Sequence, residues 1–370
     1  MKDARALLVL LRSGATAVAL RTLLERFGDA QAALSAGASA WREAALRDEC
    51  LAALDRPDEA RLEADLEWLV QPAHHLIGWH SPDYPALLRA SIHPPAALYL
   101  VGDPDLLWHP QVAIVGSRRP TSGGIENARQ FARAFGRAGF TITSGLAEGI
   151  DTAAHLGAME ASRTIAVLGT GPDVCYPSGN APLLRDIGAT GAVVTEHPPG
   201  TPGKRQHFPS RNRLIAGLAL GTVVIEAAVR SGALITARMA AEAGREVFAL
   251  PGSIHNPMAR GCHRLIRQGV GLAETPAEII ETLAPLAENL AVALRARLTA
   301  TEPAPDRAGA RLAGTGQERS IWRALGHDPV NLDQLSQRTG LTVGPLSAML
   351  LTMELDGKIS AEHGRYSRRS

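Results

Sequence analysis

Along the middle of the chain, short unbroken apolar runs alternate with segments of helical spacing. The runs are VAIVG at 112–116, FTITS at 140–144, TIAVLG at 164–169, AVVTE at 192–196, TVVIEA at 222–227 and EVFAL at 246–250. Their shortness and β-branched content predict strands buried on both faces, and the intervening helical segments predict parallel pairing through crossovers. The expected fold class is therefore α/β, with a Rossmann-like doubly wound parallel sheet as its core. Several runs end in small residues: Gly116, Ser144 and Gly145, Gly169, Thr195. Ligands on such sheets lie beyond the carboxyl ends of the strands, where these residues fall.

The flanks have other patterns. Residues 1–65 are rich in Ala, Leu and Arg at helical spacing. Within 14–34, Val18, Leu20, Leu23, Leu24 and Phe27 fall near one face of a helix stopped by Gly28, and Asp29 can cap the next one. This predicts a small N-terminal helical domain, read as a packing or protein-contact module, with contact to a DNA backbone as the alternative. Residues 66–289 form the central domain; Pro72, Pro82, Pro85, Pro94 and Pro95 break its first stretch, and ALYLVG at 97–102 predicts a strand at the sheet's edge. Residues 290–316 lose periodicity after Leu298, are rich in Ala, Pro, Gly and Thr, and predict a linker. Order resumes over 317–370, with helices expected at 317–325, 332–338 (stopped by Gly340) and 343–355, then a β-wing around 358–360 and Tyr366. That is a winged-helix pattern. Its reading helix offers Thr342 and Ser347 but no Arg or Lys before Lys358, which favours protein contact over major-groove reading. The basic tail Arg365, Arg368 and Arg369 argues the other way.

Composition narrows the function classes. At 370 residues, 45% hydrophobic and 20% charged, the chain has the make-up of a soluble globular protein of two or three domains. It contains no run of about 18 apolar residues, so no membrane span is expected. The apolar start MKDARALLVLLRSG is interrupted by Asp3 and lacks a small-residue cleavage site, so it reads as a first helix. Cys50, Cys175 and Cys262 are odd in number and far apart, which argues against a disulfide framework and a CxxC zinc site. No metal and no cofactor are expected, and the cytoplasm is the expected compartment. With 38 Lys+Arg against 37 Asp+Glu, the charge balance gives no global argument for a polyanion, so any such site must come from local clustering.

Two stretches cluster charge. After the 112–116 run the chain reads GSRRPTSGG, a turn of small residues with Arg118 and Arg119 leading to a helix through 128–137. Strand, turn, helix aims backbone N–H groups at an anion, and an arginine adds a fork of donors; a tight turn with a surface arginine is the alternative. No GxGxxG, Walker loop, HExxH or nucleophile elbow is present. The second stretch, PPGTPGKRQHFPSRNRLIAG at 198–217, carries Lys204, Arg205, His207, Phe208, Arg211 and Arg213, and no acid lies between Glu196 and Glu226. Ser210 is the expected cap of a helix beginning near Arg211. Cations beside one aromatic suit single-stranded nucleic acid, a solvated loop with a buried Phe208 being the other reading. Between the two stretches, Asp151 and His155 share helical i,i+4 spacing, compatible with an acid–base pair or with a capped helix start; no nucleophile is nearby.

VAIVGSR, SGLAEGIDTAAH, TIAVLGTG, FPSRNRLIAG, TVVIEAAVRSGALITA, REVFALPG and GCHRLI, in this order, resemble the DNA-processing protein A (DprA/Smf) family over roughly 84–283. The helical start and terminal winged helix fit that family's architecture, the former as a SAM-like domain. The resemblance implies a homodimeric, non-catalytic protein that binds and protects single-stranded DNA and helps load a RecA-type recombinase in natural transformation. It implies Ser117 and Arg118 as phosphate contacts, and Lys204 or Arg205, Phe208, Arg211 and Arg213 as backbone and base contacts, with Asn212 holding the loop or donating to phosphate. It also implies His263, Ile266 and Leu272 for subunit contact. The chain departs from the family at PTSGGIENA after GSR and at His197. An alternative is a nucleoside-monophosphate phosphoribohydrolase-like enzyme on the same fold. Of that signature GT and Glu226 survive, and the PGG does not.

Overall fold

The computed structural model describes residues 2–301 and, beyond them, 321, 324, 325, 330–339, 341, 346, 350, 359–362 and 365–368. These divide into two compact units, Met1–Arg295 and Ala296–Ser370.

The first unit is built on nine strands: β1 His74–Gly78, β2 Ala97–Gly102, β3 Gln111–Val115, β4 Thr141–Ser144, β5 Thr164–Val167, β6 Ala192–Thr195, β7 Gly221–Val224, β8 Glu246–Ala249 and β9 Gly271–Leu272. Their spatial order is β1-β2-β6-β5-β4-β3-β7-β8-β9. From β6 to β9 all neighbours are parallel, whereas β2 pairs antiparallel with both β6 and β1. The parallel core is thus extended by an antiparallel pair, and β1 lies in the proline-broken stretch, ahead of the first strand that the pattern predicts at 97–102. Alternate side chains of β3 enter different cores. Ala113 and Val115 pack with Leu214, Leu218 and Ala237, while Val112 and Ile114 pack with Phe131, Phe135 and Ala154. Helices therefore cover both faces, as a fully buried parallel sheet requires.

Strand order reverses at β3: β4, β5 and β6 lie on one side and β7, β8 and β9 on the other. The crevice between β3 and β7 is the topological switch point, where the loops following the strands diverge.

The N-terminal segment forms six helices, Lys2–Arg12 through Glu59–Leu69, with Thr16 and Asp29 capping the second and third and Gly28 (φ 83°) ending the second. They share a core with the sheet through Leu7, Leu10, Leu23 and Leu62. Polar ties reinforce it: Trp79 Nε1 donates to Glu25 (2.8 Å), and Arg12 holds the buried Asp65 in a fork (2.7 and 2.6 Å). Residues 1–65 thus pack into the same unit as the sheet.

The helix Pro276–Thr301 runs through the first part of the expected linker, whose remainder, 302–316, lies outside the described residues. In the second unit, Leu332–Thr339 is helical, as are residues 321, 324, 325, 346 and 350. Strands Ile359–Glu362 and Arg365–Arg368 form an antiparallel wing that Val330–Asn331 joins. Ile321, Leu325, Leu335, Leu346, Leu350 and Ile359 make its core. Thr342, Ser347, Lys358 and Arg369 lie outside the described residues.

Candidate nucleic-acid interface

A cleft of about 700 Å³ opens at the carboxyl ends of the strands. Its wall comes from six connections: Ser117, Arg118 and Arg119 after β3; Ala147 and Asp151 after β4; Tyr176 after β5; Arg205, Phe208, Arg211 and Asn212 after β6; Ser231 and Gly232 after β7; and Met258 after β8. The two cationic stretches of the sequence meet here.

The β3 turn is fixed from beneath. Ser117 N donates to Glu226 O (2.7 Å), and the Ser117 hydroxyl accepts from Arg119 N (3.0 Å), so Ser117 is buried and Arg118 and Arg119 are exposed. Thr121 caps the helix Ser122–Arg137 through Gly124 N (3.0 Å). The Glu226 carboxylate accepts from Thr121 N (2.8 Å), Thr121 Oγ1 (2.7 Å) and Asn256 Nδ2 (3.1 Å). Its oxygens therefore hold the turn in place. Gly149, at φ 80°, lets the chain pass Ser117, since a Cβ there would come within 2.4 Å of the Ser117 carbonyl.

Arg211 forms the floor of the cleft. It is buried, and its guanidinium occupies the space beside Gly145, where a Cβ would stand 1.3 Å from Nη1. Asp151 Oδ2 lies 3.9 Å from Nη1 and also accepts from the N–H groups of Gly145 (3.2 Å) and Ala147 (3.3 Å). Burial raises the Asp151 pKa above the usual carboxylate range, opposed by the Arg211 charge and those two N–H donors. Burial likewise lowers the Arg211 pKa, opposed by Asp151 and assisted by Arg118. Among the described residues nothing accepts from Arg211 Nε. Deeper still, His155 Nδ1 bonds Thr164 Oγ1 (2.8 Å), and that hydroxyl donates to Ile142 O (2.8 Å). Nδ1 therefore carries the proton. Burial, then the Arg211 charge, drives the His155 pKa down to about 3. Asp151 and His155 are thus structural supports for Arg211 and β5. The helix Ile150–Met159 starts at Gly149, so Asp151 ties back to the preceding loop and does not cap it.

The helix His207–Leu218 begins four residues earlier than the expected start near Arg211. Pro209 falls in its first turn, where no intrahelical N–H bond is lost. Ser210 donates to Glu196 (3.0 Å) and caps nothing. Phe208 sits 5.1 Å from Tyr176, ring to ring, with the Arg118 guanidinium 5.8 Å from its centroid. Asn212 Nδ2 reaches Gly232 O at 3.4 Å, tying this helix to the β7 loop.

Arg213 and Lys204 stand elsewhere. Arg213 is ion-paired with the mostly buried Glu196. Lys204 lines a neighbouring cleft with Arg12, Asp65 and Trp68. There Arg12 also donates to Pro199 O (3.4 Å), so the N-terminal helices brace the cationic loop. His263 and Ile266 lie on the helix Arg260–Arg267 and Leu272 on β9, at the far margin of the sheet; Ile266 packs partly against the core and Leu272 is 49% exposed. Among the described residues no three His, Cys, Asp or Glu side chains converge as a metal ion would require. No helix among them is long and apolar enough to cross a membrane. Sequence reading missed Tyr176; its signal was an aromatic residue in the loop after an apolar strand, on the same sheet end as the GSR turn.

Residues 75–284 match the family model for DNA recombination-mediator protein A, and 299–365 match the model for the DprA winged helix domain. Protein Smf of Escherichia coli is 40% identical over 312 residues, covering 83% of this chain and 80% of its own. The DNA processing protein DprA of Streptococcus pneumoniae is 44% identical over 198 residues, 53% of this chain and 70% of its own. The X-ray structure of that pneumococcal protein superposes with a TM-score of 0.67 at 34% identity, covering 76% of this chain and 98% of the other. DNA processing protein A of Helicobacter pylori, solved for its single-stranded DNA binding mode, superposes at 0.51 with 29% identity, covering 55% and 93%.

Proposed function

The chain belongs to the DNA recombination-mediator protein A family, and from that premise we propose that it binds single-stranded DNA in the cleft at the carboxyl ends of β3 and β7, without turning it over. The observation that carries this reading is the meeting of Arg118, Arg119, Arg205 and Arg211 with Phe208 and Tyr176 in one open cleft. Exposed guanidinium groups neutralise phosphates and aromatic faces receive unpaired bases, a combination that a duplex, with its bases stacked inside, cannot use. The relative from Helicobacter pylori is described by the same ligand. Glu226, the carboxylate that a phosphoribohydrolase would need, is engaged by Thr121 and Asn256 in holding the turn, which speaks against the enzyme reading.

In this proposal the protein protects incoming DNA in the cytoplasm and helps load a RecA-type recombinase during natural transformation. It acts as a homodimer through the margin bearing His263, Ile266 and Leu272. Within the cleft Ser117 shapes the phosphate-binding turn, Arg118 and Arg205 contact the backbone, and Arg211 and Asn212 set the floor and wall. Lys204 extends the backbone contact into the neighbouring cleft, and Arg213, paired with Glu196 inside the helix His207–Leu218, anchors that helix beside the loop. A gel-shift comparing single- with double-stranded DNA at two salt concentrations, without nucleotide, tests the core of it. Retention of the single strand in preference to the duplex is expected. Equal retention of both, or release of free base from nucleoside monophosphates, would overturn it.

A further inference from the structure

The two aromatic residues of the cleft are placed for different tasks. Phe208 is half-buried and, although it also lines both openings, is the more enclosed of the two: Tyr176 lies 5.1 Å away at 42° and the Arg118 guanidinium 5.8 Å from its centroid. A Cβ at Gly169 would come within 3.2 Å of Phe208 Cδ1, so that glycine leaves room for the ring, whereas one at Gly203 would stand at ordinary contact distance, 3.5 Å from Cζ. Tyr176 keeps 50% of its surface exposed and lines both the main cleft and the narrower recess between Arg118, Glu148 and Pro177.

The loop that carries Tyr176 is held in shape. Thr170 Oγ1 donates to Val174 O (2.6 Å), and Cys175 Sγ to Pro177 O (3.2 Å). Asn180 Nδ2 donates to Leu146 O (2.9 Å) and to Thr152 Oγ1 (3.0 Å), joining the loop to the one after β4. A ring fixed in this way loses little side-chain freedom when a base settles on it.

We propose that Tyr176 is the principal base-stacking platform of the cleft, and that Phe208 props Tyr176 and Arg118 in position. This rests on the single-strand reading above and names the residue that carries its base contact. The ring, not the hydroxyl, does the stacking, so any of the four bases can occupy it.

The test measures the full chain's affinity for a fluorescent oligo-dT and for an abasic oligomer of the same length. Tyr176→Ala and Tyr176→Leu, the latter keeping apolar contact with Phe208, are expected to weaken oligo-dT binding by about 5- to 100-fold. Tyr176→Phe is expected to restore it. Binding of the abasic oligomer should be the same for wild type and both truncations. Unchanged oligo-dT affinity in Tyr176→Ala, with wild-type binding intact, overturns this assignment alone; so does an equal loss for both oligomers. Failure of the wild-type protein to bind oligo-dT refutes the single-strand reading itself.

Discussion

Beneath the cleft, one glycine and two buried charges set what an arginine can do. Arg211 fits only because residue 145 lacks a side chain, and its charge is tolerated only because Asp151 faces it. Removing one member of a buried pair strands the other, at a cost of about 3–5 kcal/mol, whereas replacing both is far milder. Asp151→Asn is therefore expected to destabilise the protein by about 3 kcal/mol, and the double variant Asp151→Asn with Arg211→Met by clearly less. Urea unfolding of the four proteins checks this; additive losses would mean that the 3.9 Å pair is not coupled. His155 adds a pH dependence. Its folded pKa of about 3 lies below its unfolded value, so its contribution is complete above the unfolded pKa of about 6.5 and is lost as pH falls from there toward 3. His155→Gln should flatten the acid limb of the stability curve over that range by up to about 1.4 kcal/mol per pH unit. An unchanged slope would show that the imidazole takes up a proton in the folded state. The i,i+4 spacing of Asp151 and His155 was visible in the sequence. Their burial under Arg211 was not, because it depends on a helix that starts more than fifty residues later in the chain.

Elements were legible where burial was complete and obscure where it was partial. The six parallel strands from β3 to β8 announce themselves as apolar runs because helices cover both of their faces. β1 carries His74 and His75 at half-buried positions and sits on the sheet's margin, so its pattern was too weak to separate from the prolines around it. Pro209 and Ser210 resemble a first helical position and a cap, which draws the expected start toward Arg211, whereas the helix begins at His207 and Ser210 serves Glu196. At the opposite margin, β9 is only two residues long and leaves Leu272 half-exposed. A short edge strand with an exposed leucine is a surface that a second copy can cover. Leu272→Glu adds a charge there without disturbing the core, and sedimentation is expected to shift toward monomer. A dimer that survives the change would place the subunit contact elsewhere.

At the scale of the whole molecule, a net charge of +1 provides no general attraction for a polyanion, so affinity has to be generated inside the cleft. Arg118, Arg119 and Arg205 are exposed there, whereas Arg211 is buried against Asp151. Three neutralised phosphates on a single strand correspond to a slope of about −2 for log affinity against log salt, at roughly 0.7 per phosphate. Arg118→Ala should reduce the magnitude of that slope by about 0.7 and weaken binding most at low salt. Phe208→Ala differs in kind: it removes the ring beneath Arg118 and beside Tyr176, so affinity should fall while most of the slope is kept, since stacking releases few counterions. Titrations at four salt concentrations separate the two. A slope unaffected by Arg118→Ala would mean that the guanidinium beside the β3 turn does not meet the backbone, and the cleft would then lose the contact that makes it a nucleic-acid site.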